Sequence, residues 1–226
     1  LSFKKAVELG ADGVELDIQL SKDGEIVVCH DEAVDRTSNA KGWLKDYTLA
    51  ELKAMDFSYQ FKELGKVSIP TMKEVFELLK PTNLIINIEL KTGIFDYEGI
   101  EEKIIALTHA EGFEDRVIYS SFNHYSIMKI QELDPNAKTA FLYSDGPLDM
   151  PLYGYEHHVN ALHPAAYNLR LPNFMEECNV YHLDVNVWTV NTEEIALMCL
   201  KYGVNTLITN YPDRIKKVIE QYETGI

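Results

Sequence analysis

Short apolar runs and amphipathic helical patterns take turns along almost the whole chain, and this alternation limits the folds open to it. Strands are predicted at 13–20, 84–90, 116–122, 139–144, 159–164, 182–190 and 205–209. Several are continuous apolar runs such as Leu84-Ile85-Ile86, as parallel strands buried on both faces require. Between them lie helices with recognisable starts. Thr71-x-x-Glu74 is a capping box ahead of Met72, Val75, Phe76 and Leu79. Asn123 starts a helix that runs to Leu133, Asn191-x-x-Glu194 opens another, and Pro212 stands at the head of the last. Two short helices are placed within 145–180. Alternating strands and helices imply a parallel sheet with crossover helices. Seven main strands are expected, yet a helical pattern (Phe3, Ala6, Val7, Gly10) comes first, with no capping residue before Leu1. A (β/α)8 barrel short of its first strand has this order, so the sequence is expected to be a fragment. An open doubly wound sheet is the alternative, although no Gly-x-Gly-x-x-Gly turn follows a strand to suggest dinucleotide binding.

The stretch from Gly13 to Asp31 carries the densest chemistry. Glu15, Asp17 and Gln19 alternate with Val14, Leu16 and Ile18, so the two carboxylates share one face of a strand. Neighbouring carboxylates repel; either one holds a proton or a cation sits between them, and a hard divalent ion favours oxygen ligands. Lys22-Asp23-Gly24 reads as a tight turn, after which a strand from Glu25 to Cys29 delivers His30. A second polar face, Asn87, Glu89 and Lys91, alternates with Ile86, Ile88 and Leu90. In a barrel Glu89 would join the carboxylates and Lys91 would meet a phosphate oxygen, whereas on an exposed strand the two would be an ordinary surface pair. Trp188 ends a third such strand, as an apolar wall of a pocket or as core, and Phe122 closes a fourth near the same mouth. His163 lies near a strand end and is given no role. The segment 31–70 interrupts the alternation and holds a short capped helix at Thr48-Leu-Ala-Glu51. It is expected to lie as an extended loop over the C-terminal face of a single domain, 1–226, where barrel sites sit.

Composition narrows the partners. A net charge of −15 over 226 residues excludes a general nucleic-acid surface, which needs basic patches. It leaves a phosphate ester open as substrate, because a bound cation reverses the local field. Three cysteines without metal-type spacing read as buried thiols, which points to the cytoplasm. There is no run of about eighteen apolar residues, so no stable membrane insertion is expected. The oligomeric state is left open.

Taken together, these residues resemble the glycerophosphodiester phosphodiesterase family. The matching text includes Gly10-Ala-Asp12-Gly-Val-Glu15-Leu-Asp17, Lys22-Asp-Gly24, His30-Asp31, Asp35-Arg36-Thr37, Ile69-Pro70-Thr71, Ile88-Glu89-Leu-Lys91, Ser121-Phe122, Val187-Trp188-Thr-Val-Asn191 and Thr209-Asn210-Tyr-Pro212-Asp213. The resemblance implies a TIM-type barrel that cleaves glycerophosphodiesters to an alcohol and glycerol 3-phosphate with a divalent cation, Mg²⁺ or Ca²⁺. It makes Glu15, Asp17 and Glu89 metal ligands, His30 a catalytic histidine, Lys91 a phosphate contact, and Trp188 and Phe122 substrate-pocket aromatics. The family's His-Arg-Gly and Glu-Asn-Thr motifs, expected upstream of Leu1, have no counterpart here; they would add a second catalytic histidine, an arginine and another metal ligand. Two other readings stay open: a sphingomyelinase D-like lipid phosphodiesterase, and a non-catalytic phosphate-ester-binding protein.

Overall fold

The computed structural model describes residues 1–59 and 61–225. Helix α1 (Ser2–Glu8) leads into strand β1 (Gly13–Leu20) and the short β2 (Ile26–Val28). Then come α2 (Leu49–Ala54), α3 (Met72–Leu79), β3 (Ile85–Leu90), α4 (Ile100–Glu111) and β4 (Val117–Ser121). The alternation continues through α5 (His124–Leu133), β5 (Lys138–Tyr143), α6 (Met150–Glu156), β6 (Ala161–Pro164) and α7 (Phe174–Val180). It ends with β7 (Asp184–Val187), α8 (Glu193–Tyr202), β8 (Thr206–Leu207) and α9 (Pro212–Thr224).

One sheet contains all the strands in the order β2-β1-β3-β4-β5-β6-β7-β8. β1 and β3 to β8 run parallel; β2 folds back antiparallel on the end of β1, Ile18 opposite Val28. The sheet is rolled. Asn87 on β3 and His163 on β6 approach to 3.5 Å with two strands between them, whereas three interstrand steps across a flat sheet span roughly 14 Å. At the far side, Lys216 of α9 donates to the carbonyl of Gly10, just ahead of β1, at 3.1 Å. The architecture is therefore the α/β barrel type expected from the alternation. Among the described residues no strand pairs β8 with β1.

The period of two along each strand sorts the side chains. Val14, Leu16 and Ile18 of β1 and Ile86, Ile88 and Leu90 of β3 face outward, into a core shared with Met72, Val75, Phe76 and Leu79 of α3. Each such side chain contributes about 1.5–3 kcal/mol when fully buried. The opposite faces are buried too, but polar: Asp17, Gln19, Asn87, Glu89, His163 and Asn186. The inside of the roll is thus a hydrogen-bonding surface, and the outside supplies the apolar burial.

The cap of α3 is built as expected. Thr71 Oγ1 accepts from the Glu74 N–H at 3.2 Å, and the Glu74 carboxylate accepts from the Thr71 N–H at 2.8 Å. Thr71→Ala is expected to cost about 1 kcal/mol, seen as a fall of about 2–4 °C in Tm; an unchanged melt would show that the α3 packing alone sets this helix start.

Three expectations shift. The cap of α8 is Thr192, whose hydroxyl accepts from the Ile195 N–H, and not Asn191. Asn191 Oδ1 is engaged elsewhere, accepting from the Asn210 N–H at 3.0 Å. The strand predicted over 182–190 is only Asp184–Val187, because His182 has a left-handed backbone at φ 56°. The segment 31–70 carries the expected short helix, α2, opened by the Thr48–Glu51 capping box, and a core that was not expected. It folds α2 over a small core of its own, formed by Val27, Cys29, Val34, Leu44, Leu52 and Ile69. The three cysteines are free and buried. Among the described residues no helix is long and apolar enough to cross a membrane.

Candidate active site

The register of β1 against β3 assembles the acidic group. Asp17 lies beside Glu89, and Glu15 beside Asn87. Partners in register on parallel strands project from the same face, so all three carboxylates enter the interior together. One oxygen from each of Glu15, Asp17 and Glu89 lies within 4.8 Å of the others. Asp17 and Glu89 are buried. Lys91, one side-chain step beyond Glu89, is also withdrawn from water, its side chain only 14% exposed. Its ammonium sits 3.0 Å from Glu89 Oε1 and 3.3 Å from Asp17 Oδ1. It thus bridges the two carboxylates.

One ammonium does not balance three carboxylates. Burial, then the neighbouring charges of Asp17 and Glu89, push Glu15 well above the usual carboxylate range, and burial and Asp17 do the same to Glu89. Asp17 Oδ1 is fully buried, and its contact is the long ion pair to Lys91 at 3.3 Å. An oxygen-only donor set with a surplus of negative charge fits a hard divalent cation.

His30 arrives from the β1–β2 hairpin. Its Nδ1 is 2.7 Å from Asp31 Oδ1, while Arg36 grips both oxygens of Asp31 at 2.6 and 2.7 Å. The Arg36 guanidinium, opposed by partial burial and aided by His30, holds the Asp31 carboxyl at about 2. In neutral imidazole this pairing puts the proton on Nδ1 and leaves Nε2 as the acceptor. Nε2 has no hydrogen-bond partner among the described residues, and the side chain is 67% exposed.

The two aromatics meet. Phe122 and Trp188 pack edge to face with ring centroids 5.6 Å apart. Phe122 is 44% exposed, and the Trp188 indole N–H donates to the carbonyl of His163 at 2.8 Å. Below them lies a network that the sequence reading passed over. His163 is fully enclosed, which pushes it down to about 3 and keeps it neutral. The amide groups of Asn186 and Asn87 reach its two ring nitrogens at 2.8 and 3.5 Å, and the Ser120 hydroxyl donates to Asn87 Oδ1 at 2.9 Å. The clue was there: polar side chains at alternate positions of three strands, on the face that carries Glu89. Gln19, which continues the Glu15-Asp17 alternation, was passed over in the same way.

The model of the glycerophosphoryl diester phosphodiesterase family matches residues 1–214. The chain belongs to this family. It is 42% identical over 221 residues to a glycerophosphodiester phosphodiesterase of Caldanaerobacter subterraneus subsp. tengcongensis, covering 97% of this chain and 90% of the relative. A glycerophosphodiester phosphodiesterase of Bacillus altitudinis is 40% identical over 227 residues, covering 98% and 91%. Among solved structures, an Oleispira antarctica phosphodiesterase in complex with the product sn-glycerol-3-phosphate superposes with a TM-score of 0.85 at 26% identity, covering 96% of this chain and 89% of that one. The family membership agrees with the resemblance read from the sequence.

Proposed function

We propose that this chain hydrolyses small glycerophosphodiesters to an alcohol and sn-glycerol 3-phosphate, with a divalent cation and histidine acid–base catalysis. The observation that supports it best is the convergence of Glu15, Asp17 and Glu89 on one point of the barrel interior, with only the Lys91 ammonium against three carboxylates. The relatives named as glycerophosphodiester phosphodiesterases and the product complex of the Oleispira antarctica enzyme supply the substrate class. Glu15, Asp17 and Glu89 would hold the cation, Mg²⁺ or Ca²⁺. When bound, it neutralises phosphate oxygens that otherwise repel a nucleophile.

The chain's own residues do the rest. Lys91, already paired with Asp17 and Glu89, offers its ammonium as a point charge to a phosphate oxygen. His30 moves a proton at Nε2, with Asp31 holding the ring through Nδ1. Water adds to phosphorus, the bond from phosphorus to the alcohol oxygen breaks, and the leaving oxygen takes up a proton. Phe122 and Trp188 form an apolar wall for the carbon backbone of the substrate. The single domain 1–226 carries this site, with 31–70 as the layer that positions His30 and Arg36.

The test is release of glycerol 3-phosphate from glycerophosphocholine, first with Mg²⁺ or Ca²⁺ and then with chelator. Turnover with cation, and its loss in chelator, is the expected result. Turnover that persists in chelator would remove the cation from the proposal. No turnover with either cation, from protein that still binds the diester, would make the chain a phosphate-ester-binding protein.

A further inference from the structure

We propose that Gln19 and Tyr97 are positioning residues that set the backbone of His30 against the carboxylate cluster. The inference rests on the role given to His30 above. Gln19 follows Asp17 by two positions on β1, faces the same interior and is fully buried. Its side-chain nitrogen donates to the carbonyl of Cys29 at 2.8 Å and to that of Asp31 at 2.9 Å, and lies 3.5 Å from the carbonyl of His30. The two amide hydrogens are therefore spent on the carbonyls of the residues on either side of His30. Gln19 Oε1 accepts from the Tyr97 hydroxyl at 2.8 Å. The amide orientation is not ambiguous: turned over, Oε1 would face two carbonyl oxygens with no hydrogen between them.

Ordinary backbone pairing cannot do this work. β2 ends at Val28, and the Cys29 N–H makes the last bond to β1, to the carbonyl of Asp17 at 3.0 Å. Past that point the turn has left the ladder, and Gln19 grips it where the backbone no longer does. Tyr97 is buried and comes from the segment that follows β3. One side-chain chain thus links β1, which bears Glu15 and Asp17, the His30 turn, and the continuation of the strand that bears Glu89. Asp31 orients the imidazole ring; Gln19 places the peptide from which that ring hangs. Chemistry that depends on near-attack geometry loses about 100-fold for a misplacement of about 1 Å.

The test is a double-mutant cycle on glycerophosphocholine hydrolysis at saturating cation. Gln19→Leu keeps the bulk of the side chain and removes its hydrogen bonds; Tyr97→Phe removes one hydroxyl. Gln19→Leu is expected to lower kcat by about 10- to 100-fold with KM little changed, and Tyr97→Phe by a smaller factor in the same pattern. In a His30→Ala background neither should lower kcat further, because the group they position is gone. An equal loss in both backgrounds, or a loss carried by KM, would make Gln19 a general structural residue and overturn the proposal, as would no loss in the single variants. If Gln19→Leu does not fold, Tyr97→Phe carries the same cycle. A His30→Ala protein as active as wild type would overturn the role of His30 itself. An inactive His30→Ala alongside a fully active Gln19→Leu would overturn this inference alone.

Discussion

His30→Ala is expected to lower kcat on glycerophosphocholine by about 10²–10⁴-fold, the range that a lost general acid or base commands, while the protein melts almost as before. The two halves of this result come from the same geometry. The His30 side chain is 67% exposed and fills no core space, so its truncation opens no cavity. Asp31 does not become an orphan either, because Arg36 still holds both of its oxygens. What disappears is the one imidazole nitrogen, Nε2, that is free to exchange a proton beside the carboxylate cluster. KM should move much less than kcat. On the proposed reading, Lys91 and a cation held by Glu15, Asp17 and Glu89, not His30, would provide the positive charge that binds a phosphodiester. Steady-state kinetics on the purified variant, with a thermal melt beside them, check both halves. Turnover within a few-fold of wild type would remove His30 from the chemistry. A melt lowered by more than about 5 °C would mean that His30 holds the 31–70 layer together, since a chain of this size loses about 2–4 °C per kcal/mol.

The parts of this site that were legible in the sequence are those that depend on one strand at a time. Alternation along β1 puts Glu15 and Asp17 on one face whatever the sheet does next, and alternation along β3 does the same for Glu89 and Lys91. The hairpin that delivers His30 was also legible, because Lys22-Asp23-Gly24 is a local turn signal. What was hidden depends on closure. Asn87 and His163 meet only because the sheet rolls, and no single segment reports its neighbour three strands away. Gln19 looked like one more polar residue on a polar face, because its partners are backbone carbonyls, which leave no mark on the sequence. The small core under α2 escaped for another reason: Val34, Leu44, Leu52 and Ile69 follow no common period, since α2 supplies only Leu52 and the others come from short turns and loops far apart in sequence. At the start of α8, Asn191 and Thr192 are both good caps, and only the tertiary demand of Asn210 on Asn191 decides between them.

In chelator, the protein is expected to lose thermal stability as pH rises from about 6.5 to about 8, and saturating Mg²⁺ or Ca²⁺ should restore it. Burial and mutual repulsion raise Glu15 to about 8 and Glu89 to about 7, against about 4.3 for glutamate in an unfolded chain. The folded state thus binds these protons more tightly than the unfolded one. Their contribution to stability is complete below the unfolded value and is lost as pH climbs through the folded values. His163 acts in the opposite sense. It is held down to about 3, so it favours the fold above the ordinary histidine value near about 6.5 and weakens it below. His124 and the Leu1 amino group, both also lowered by burial, act in the same sense as His163, so a loss of stability above about 6.5 can come only from the raised carboxyls. A cation binding only the folded state at about 100 times its Kd contributes about 2.7 kcal/mol, or about 5–10 °C in Tm for a chain of this length. Glu15→Gln removes one raised carboxyl and one proposed cation ligand together, so it should flatten the pH trend and also shrink the cation response. Melts at pH 6.5 and 8, with chelator and with cation, on wild type and Glu15→Gln, separate the two effects. A wild-type melt in chelator that does not change across this window would mean that Lys91 alone balances the cluster. A melt indifferent to either cation would leave the three carboxylates without the occupant assigned to them.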